Sequence, residues 1–368
     1  MKNKEYDSYR ELIRRLINWS KGIPQPPLRV EFWISGKCNL RCRFCGSWKD
    51  NNQDKLNTKD FIRIINKSKK MGVKEFYISG GGEPFYRKDV TLKIMKKIKK
   101  VNGIGFIITN GALLTKKDIN QIIKIEWDML TISLDGPSPK EHDYLRGVDG
   151  TFEKVINNIE YISYLKERKK KSKPYVYINS VINRINYKKI PDLLVLSAKL
   201  NVNEVIFQPL FGSGTFYNNL RIKEKNLTDF KKIVLKAEKL ASKYKIKTNI
   251  SEYKNLDLLI NSNCAGEIMC EHVKKEEGFL AIPCYEPWWH LFISFNGNAA
   301  PCGPWVSKSS ENVLDSSIEE IWFGDFFNSF REKIKRKNMN GCNCCMPILF
   351  FNNRLRESLK AELQKHKN

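Results

Sequence analysis

The chain has 368 residues, 41% of them hydrophobic and 11% aromatic, enough for one large core or two smaller ones, which excludes a disordered chain. No stretch reaches eighteen apolar residues without a charge, which excludes a membrane-spanning helix, and the charged start Met1-Lys2-Asn3-Lys4-Glu5 lacks the apolar centre of a secretion signal. The formal charge of +25 would suit nucleic acid or an anionic membrane, yet its cations sit where solvated surfaces are expected, as at residues 96–100 and 166–173. The expected setting is therefore the cytoplasm, with neither nucleic acid nor membrane as partner. In that reducing compartment ten cysteines are more often metal ligands than disulfides.

Residues 1–27 predict a helix and a proline-rich connector. Tyr9, Leu12, Ile13, Leu16 and Ile17 share one face, with Arg10, Arg14 and Arg15 opposite. Strand-like runs then fall at 30–35, 75–79, 105–109, 129–134, 175–182 and 204–209. Helical patterns lie between them at 60–70, 89–100, 116–123, 152–165 and 187–200. Six strands alternating with five helices predict an α/β fold, a partial six-unit barrel of parallel strands with its functional loops at their carboxyl ends. A sixth helix is expected at 227–240. Beyond about residue 245 cysteine, glycine and proline become dense, predicting a small α+β unit. The expected division is 1–27 connector, 28–225 barrel, 226–275 linker, 276–350 C-terminal unit and 351–368 tail.

The first strand runs into Cys38-x3-Cys42-x2-Cys45, with Phe44 before the last cysteine. Three thiolates in eight residues can hold one face of a four-iron cube and leave one iron open. Structural zinc wants four ligands, and His142 or His272 would have to supply the fourth from afar. This motif resembles the signature of the radical S-adenosylmethionine superfamily, and further matches follow in family order after later strands. They are Gly80-Gly81-Gly82-Glu83-Pro84, Thr109-Asn110-Gly111, Ser133-Leu134-Asp135-Gly136 and Tyr144-Leu145-Arg146-Gly147. The resemblance implies that S-adenosylmethionine meets Phe44, Gly81, Gly82 and Asn110. It further implies Glu83 at the cofactor's amino group, Ser133 and Asp135 near its ribose, and Arg146 at its carboxylate. Residues 207–209 are a candidate adenine contact.

Near the C-terminus, twelve residues separate Cys284 from Gly297 and four separate Gly297 from Cys302; Asn296-Gly297 predicts a hairpin between 291–295 and 298–301. Cys342 and Cys345 supply Cys-x2-Cys. This set resembles the SPASM auxiliary-cluster module in its shorter twitch form, since no cysteine follows Cys345. The resemblance implies that Cys284, Cys302, Cys342 and Cys345 saturate a second 4Fe–4S cluster. Cys344 is a spare thiol or an alternative ligand. Cys264 and Cys270 read as small buried residues first, and as hydrogen-atom donors or ligands second.

The implied activity is reductive cleavage of S-adenosylmethionine to a 5'-deoxyadenosyl radical that takes a hydrogen atom from a substrate. A flavodoxin or ferredoxin is the implied reductant, and no further catalytic residue stands out. Peptide-modifying relatives often carry an N-terminal recognition domain; with 27 residues before the first strand, a small molecule such as a sugar is expected, and a peptide crosslinked or epimerised is the alternative. A zinc-binding nucleic-acid protein is the alternative of another class.

Overall fold

The structure is a computed structural model that describes residues 2–49, 53–210, 215–254, 270, 273–342 and 346–365. Nine strands form one sheet: β1 Arg29–Ser35, β2 Glu75–Gly81, β3 Ile104–Thr109, β4 Met129–Ser133, β5 Tyr175–Ile182, β6 Glu204–Pro209, β7 Lys247–Thr248, β8 His290–Ile293 and β9 Ala299–Ala300. Their order is β7-β6-β5-β4-β3-β2-β1-β8-β9, parallel everywhere except between β8 and β9. The sheet curls without closing, so the expected partial barrel is what forms.

Alternation along each strand decides the layers. Val30, Phe32 and Ile34 of β1 share one buried core with Phe76, Ile78, Ile107, Leu130, Ile132 and Ile178 and with helix residues such as Phe61, Ile65, Ile94, Ile119 and Ile159. Each such side chain contributes about 1.5–3 kcal/mol by leaving water. The other register points inward. Low in the barrel it is closed by Phe106, Met129 and Tyr177, packed with Tyr77, Ile104, Tyr175 and Ile206. That apolar floor leaves the carboxyl ends of the strands as the place for chemistry. The helix Thr58–Met71 shows how the connections are cut to length: Asn57 and Asp60 form a capping box, and Gly72 ends the helix at φ 96°.

Four differences from the sequence expectations matter. A helix at Pro139–Arg146 was not expected, and it holds Arg146 at its last turn. The helix expected at 187–200 divides into a 3-10 turn, Tyr187–Lys189, and a helix, Ile190–Lys199, with Pro191 in the first turn, where a missing N–H is harmless. Arg15 does not join the solvent face of the N-terminal helix Lys2–Ser20. It is buried, and its guanidinium donates to the carbonyls of Pro26, Pro27 and Gly72 at 2.8–2.9 Å. The hairpin forms with Gly297 at φ 94°, but β8 pairs in parallel with β1, so the C-terminal segment extends the barrel's own sheet. Among the described residues no helix is long and apolar enough to cross a membrane.

Candidate functional site

The thiol loop leaves β1 at Ser35 and is tied down on both flanks. Asp54 accepts from Ser35 Oγ at 2.9 Å and from the Gly36 N–H at 2.8 Å, while Arg41 N and Arg43 N donate to the carbonyls of Arg146 and Leu145 at 3.0 and 2.9 Å. Cys42 is buried, with Cys38 and Cys45 half-buried beside it. Three donors reach toward sulfur: the Leu40 N–H lies 3.5 Å and Asn110 Nδ2 3.9 Å from Cys38 Sγ, and Arg146 Nη1 lies 3.8 Å from Cys42 Sγ. Burial, with smaller contributions from Glu83 and the neighbouring thiols, pushes Cys38 up to about 11. Burial raises Cys42 as well, against the pull of Arg146. Thiols that resist ionisation on their own yet have N–H donors aimed at them suit an iron–sulfur cluster, whose metal charge would force the thiolate form.

The glycine-rich exit of β2 lies directly on this loop. A Cβ at Gly82 would stand 2.0 Å from the Lys37 carbonyl oxygen, and one at Gly81, where φ is 72°, 2.7 Å from that of Ser35. Both neighbours are backbone, so neither can swing aside. A Gly82→Ala protein is expected to part the two loops, losing about 1–3 kcal/mol of stability by overpacking and losing bound iron with it. Urea titration and iron analysis on one preparation check this; full iron retention would contradict it.

Glu83 is the residue expected at the cofactor's amino group. It is buried, and its carboxylate accepts from Phe85 N at 3.0 Å, Thr109 Oγ1 at 2.6 Å and Asn110 N at 2.7 Å. It is a clamp between the ends of β2 and β3. Asn110 is thereby set with Nδ2 on Asn39 Oδ1 at 2.8 Å. Asp135 likewise has partners other than a ribose: it is fully buried, accepts from Val181 N at 2.8 Å, and meets Arg146 Nε at 2.8 Å in an ion pair off the axis of a linear hydrogen bond. Arg146 therefore reaches the loop from a carboxylate anchor, with its guanidinium 5.4 Å above the Phe44 ring. Ser133 is buried at the end of β4, opposite Asn179. Phe207 turns outward into the helix-facing core, which removes it as an adenine contact; Gln208 faces inward and accepts from Asn179 Nδ2 at 3.3 Å.

His142 is not a spare metal ligand. Its buried Nδ1 accepts from the Asp135 N–H at 3.2 Å, and burial, helped by Arg146, pushes the imidazole down to about 3. An unfolded histidine takes up its proton near pH 6.5, so between there and about pH 3 the unfolded state binds one proton more. Stability through this residue is complete above that window and falls as the pH drops through it. Relative to wild type, His142→Asn is expected to flatten the acid limb by about 1.4 kcal/mol per pH unit, read from urea midpoints between about pH 4 and 6.

In the C-terminal segment Cys284 and Cys342 are buried in one apolar cluster with Leu12, Leu16, Trp288 and Leu355. Cys302 is buried in the next, with Phe292, Ala300 and Val306, and Trp305 packs against both. Cys270 belongs to the first cluster, half-buried, with its thiol 3.5 Å from the Lys337 carbonyl. Cys264, Cys344, Cys345 and His272 lie outside the described residues.

One group of inward residues was not singled out from the sequence. Glu31 accepts from Ser79 Oγ, and its other oxygen lies 3.2 Å from His290 Nε2, whose Nδ1 lies 2.8 Å from Glu286. Trp33 stands above them, its indole edge against Gly80 and its far side against the Cys302 loop. The signal was the alternation of Arg29, Glu31, Trp33 and Ser35 with Val30, Phe32 and Ile34.

Residues 34–194 match the family model of the radical SAM superfamily, and residues 284–346 match that of an iron–sulfur cluster-binding domain, SPASM. The chain belongs to the radical SAM superfamily. It is an enzyme of the SPASM-bearing kind, with 4Fe–4S clusters and S-adenosylmethionine as cofactors. It is 26% identical to an AdoMet-dependent heme synthase of Oleidesulfovibrio alaskensis, over 83% of this chain and 77% of that protein. It is 20% identical to a PqqA peptide cyclase of Gluconobacter oxydans, over 88% and 87% of the two chains. Streptococcus suis SuiB bound to S-adenosylmethionine shares the fold, with a TM-score of 0.65 at 19% identity over 83% of this chain and 68% of that one. These matches leave the zinc-protein alternative without support.

Proposed function

We propose that Cys38, Cys42 and Cys45 hold the cofactor-cleaving cluster, that Cys284, Cys302, Cys342 and Cys345 hold the auxiliary one, and that the enzyme oxidises a small substrate rich in hydroxyl or amino groups. Together the cluster and S-adenosylmethionine supply abstraction of a hydrogen atom from an unactivated carbon. The chain's own part is to bind, orient and exclude water. Arg146, anchored by Asp135, is suited to the cofactor's carboxylate, and the carbonyls around Gly81 and Gly82 to its amino group.

The observation that carries the substrate reading is Glu31. Its side chain keeps 14% of its surface open on the inner face, and His290 and Ser79 hold it in place. On the inner face of other strands Thr131, Asn179 and Gln208 are half-buried, and the Asn179 side-chain oxygen Oδ1 is buried without a hydrogen-bond partner among the described residues. Among the described residues, the inner Arg29 is paired with Glu75, and Arg146, paired with Asp135, is the one assigned to the cofactor. A wall of one held carboxylate and side chains that both donate and accept suits hydroxyls and amines and not a carboxylate-rich ligand.

The test is transfer of deuterium into 5'-deoxyadenosine from perdeuterated sugars and amino sugars. Transfer from one of them is expected, and a Glu31→Gln protein should lose about tenfold or more in kcat/KM for it. Transfer from peptides alone would replace this reading by the peptide one, which the similarity to the peptide cyclase along most of both chains favours.

A further inference from the structure

Below the rim of the barrel one carboxylate is held charged. Glu31 is an inward residue of β1, two inward positions below Ser35, where the thiol loop begins. Beneath it Arg29 pairs with Glu75 at 2.7 Å, and its guanidinium lies 3.8 Å from the centre of the Tyr77 ring and 4.7 Å from that of Trp289. Beside it stands His290, buried, with Nδ1 2.8 Å from Glu286 and Nε2 3.2 Å from Glu31 but off the axis of a hydrogen bond. Burial would lower the imidazole, but Glu286 and Glu31 outweigh it and hold His290 above its ordinary value. Burial would raise Glu31, but His290, Ser79 and Arg29 outweigh it and hold the carboxyl below its ordinary value.

The charges of this group do not cancel. With the imidazole protonated, Glu31, His290 and Glu286 keep one negative charge in excess; with it neutral they keep two. Among the described inward residues, the cations Arg29 and Arg146 are paired with Glu75 and Asp135. The excess meets the barrel's interior at Glu31, whose side chain keeps 14% of its surface, against 5% for His290 and 6% for Glu286. A partly buried net charge is costly until an opposite charge meets it.

The geometry selects among the cations that could do so. A metal ion wants several such ligands, and among the described residues no three His, Cys, Asp or Glu side chains converge on one point. A guanidinium wants both carboxylate oxygens in a fork, yet one oxygen of Glu31 accepts from Ser79 and the other faces His290. A compact ammonium needs only a remaining lone pair. Nor is Glu31 suited to take a proton from the substrate, since a carboxyl held below its ordinary value is a weak base.

We propose that Glu31 seats a substrate ammonium, so that the enzyme takes a small molecule bearing a protonated amine and no free carboxylate. The proposal rests on the reading of the substrate as a small hydroxyl- or amine-bearing molecule, and it makes the amine obligatory. Glu31 is the specificity residue, and His290 and Ser79 hold it in place.

The probes are perdeuterated amino sugars, amino alcohols and polyamines, each beside a counterpart with hydroxyl or N-acetyl in place of the amine. They are given to the full-length, cluster-loaded enzyme with S-adenosylmethionine and dithionite. Deuterium should enter 5'-deoxyadenosine from an amine, with kcat/KM about tenfold or more above its neutral counterparts. Glu31→Gln keeps the shape of the side chain and removes its charge. It should cut kcat/KM about tenfold or more for the amine and about threefold or less for the hydroxyl counterpart. The calorimetric Kd of the amine, measured without reductant, should rise by the same factor as kcat/KM falls. Glu31→Asp keeps the charge and should keep the preference for the amine. Iron content and affinity for S-adenosylmethionine should be unchanged in both variants. Equal losses on the amine and its hydroxyl counterpart in Glu31→Gln would overturn the proposal, and so would loss of the preference in Glu31→Asp. Transfer from neutral sugars alone, or from no amine, would overturn it too, and a neutral small substrate would leave the proposed function standing. Transfer from peptides alone would overturn that function, and this proposal with it.

Discussion

A Cys38→Ala/Cys42→Ala/Cys45→Ala protein is expected to make no 5'-deoxyadenosine from S-adenosylmethionine and dithionite, and to lose about four irons while keeping about four. The loop that bears these thiols is held by groups other than sulfur: Asp54 on Ser35 and Gly36, the Arg146 and Leu145 carbonyls on Arg41 N and Arg43 N, and Asn110 on Asn39. Its backbone should survive the substitution, so a loss of activity would report chemistry and not collapse. The remaining irons are expected to stay because Cys284 and Cys342, in one apolar cluster with Trp288, and Cys302, in a second with Phe292, lie apart from the first thiol loop, with Trp305 packed against both clusters. Iron analysis and chromatographic assay of 5'-deoxyadenosine on the same preparation give both numbers. Cofactor cleavage by the triple variant would end the assignment of these three cysteines.

Periodicity made the barrel legible because its strands are buried on the helix side and its helices are strongly one-faced. Val30, Phe32 and Ile34 against Glu31 and Trp33 specify both a strand and its two faces. The helix bearing Arg146 had a signal too, since Ser138, Pro139 and Glu141 make a helix start, but its eight residues are too few for a visible apolar stripe. β7 has two residues and no period to read. The pairing of β8 with β1 joins residues about 260 apart, and nothing local in His290–Ile293 names its partner.

The site divides in the same way. Motif spacing and resemblance identify which residues gather, and the structure brings Cys38, Asn110, Glu83 and Arg146 around one loop. They do not say what a carboxylate does once there. Glu83 and Asp135 look like ligand-binding acids in the sequence, whereas in the fold both meet donors supplied by other strands, Thr109 and Asn110 for one and Val181 for the other. Those partners depend on the register between strands, which a single motif does not contain.

The Asp135–Arg146 pair permits the sharpest separation of structure from cofactor binding. Both side chains are buried, and burial pushes Asp135 up while Arg146 pulls it down, so the carboxylate depends on its partner to stay charged. Arg146→Met alone leaves that carboxylate buried with only the Val181 N–H, and should cost about 3–5 kcal/mol of stability. Adding Asp135→Asn removes the stranded charge and keeps an acceptor for Val181, so the double variant should recover most of the loss, read by urea unfolding. Affinity for S-adenosylmethionine should not recover with it. If Arg146 meets the cofactor's carboxylate, both variants lose about 2–5 kcal/mol of binding, thirtyfold or more by calorimetry, with iron retained. If Arg146 serves only to hold the barrel's rim in shape, affinity returns together with stability in the double variant. The two roles thus predict opposite outcomes for one protein, and that measurement decides whether the guanidinium seen beside Cys42 is a cofactor ligand or a strut.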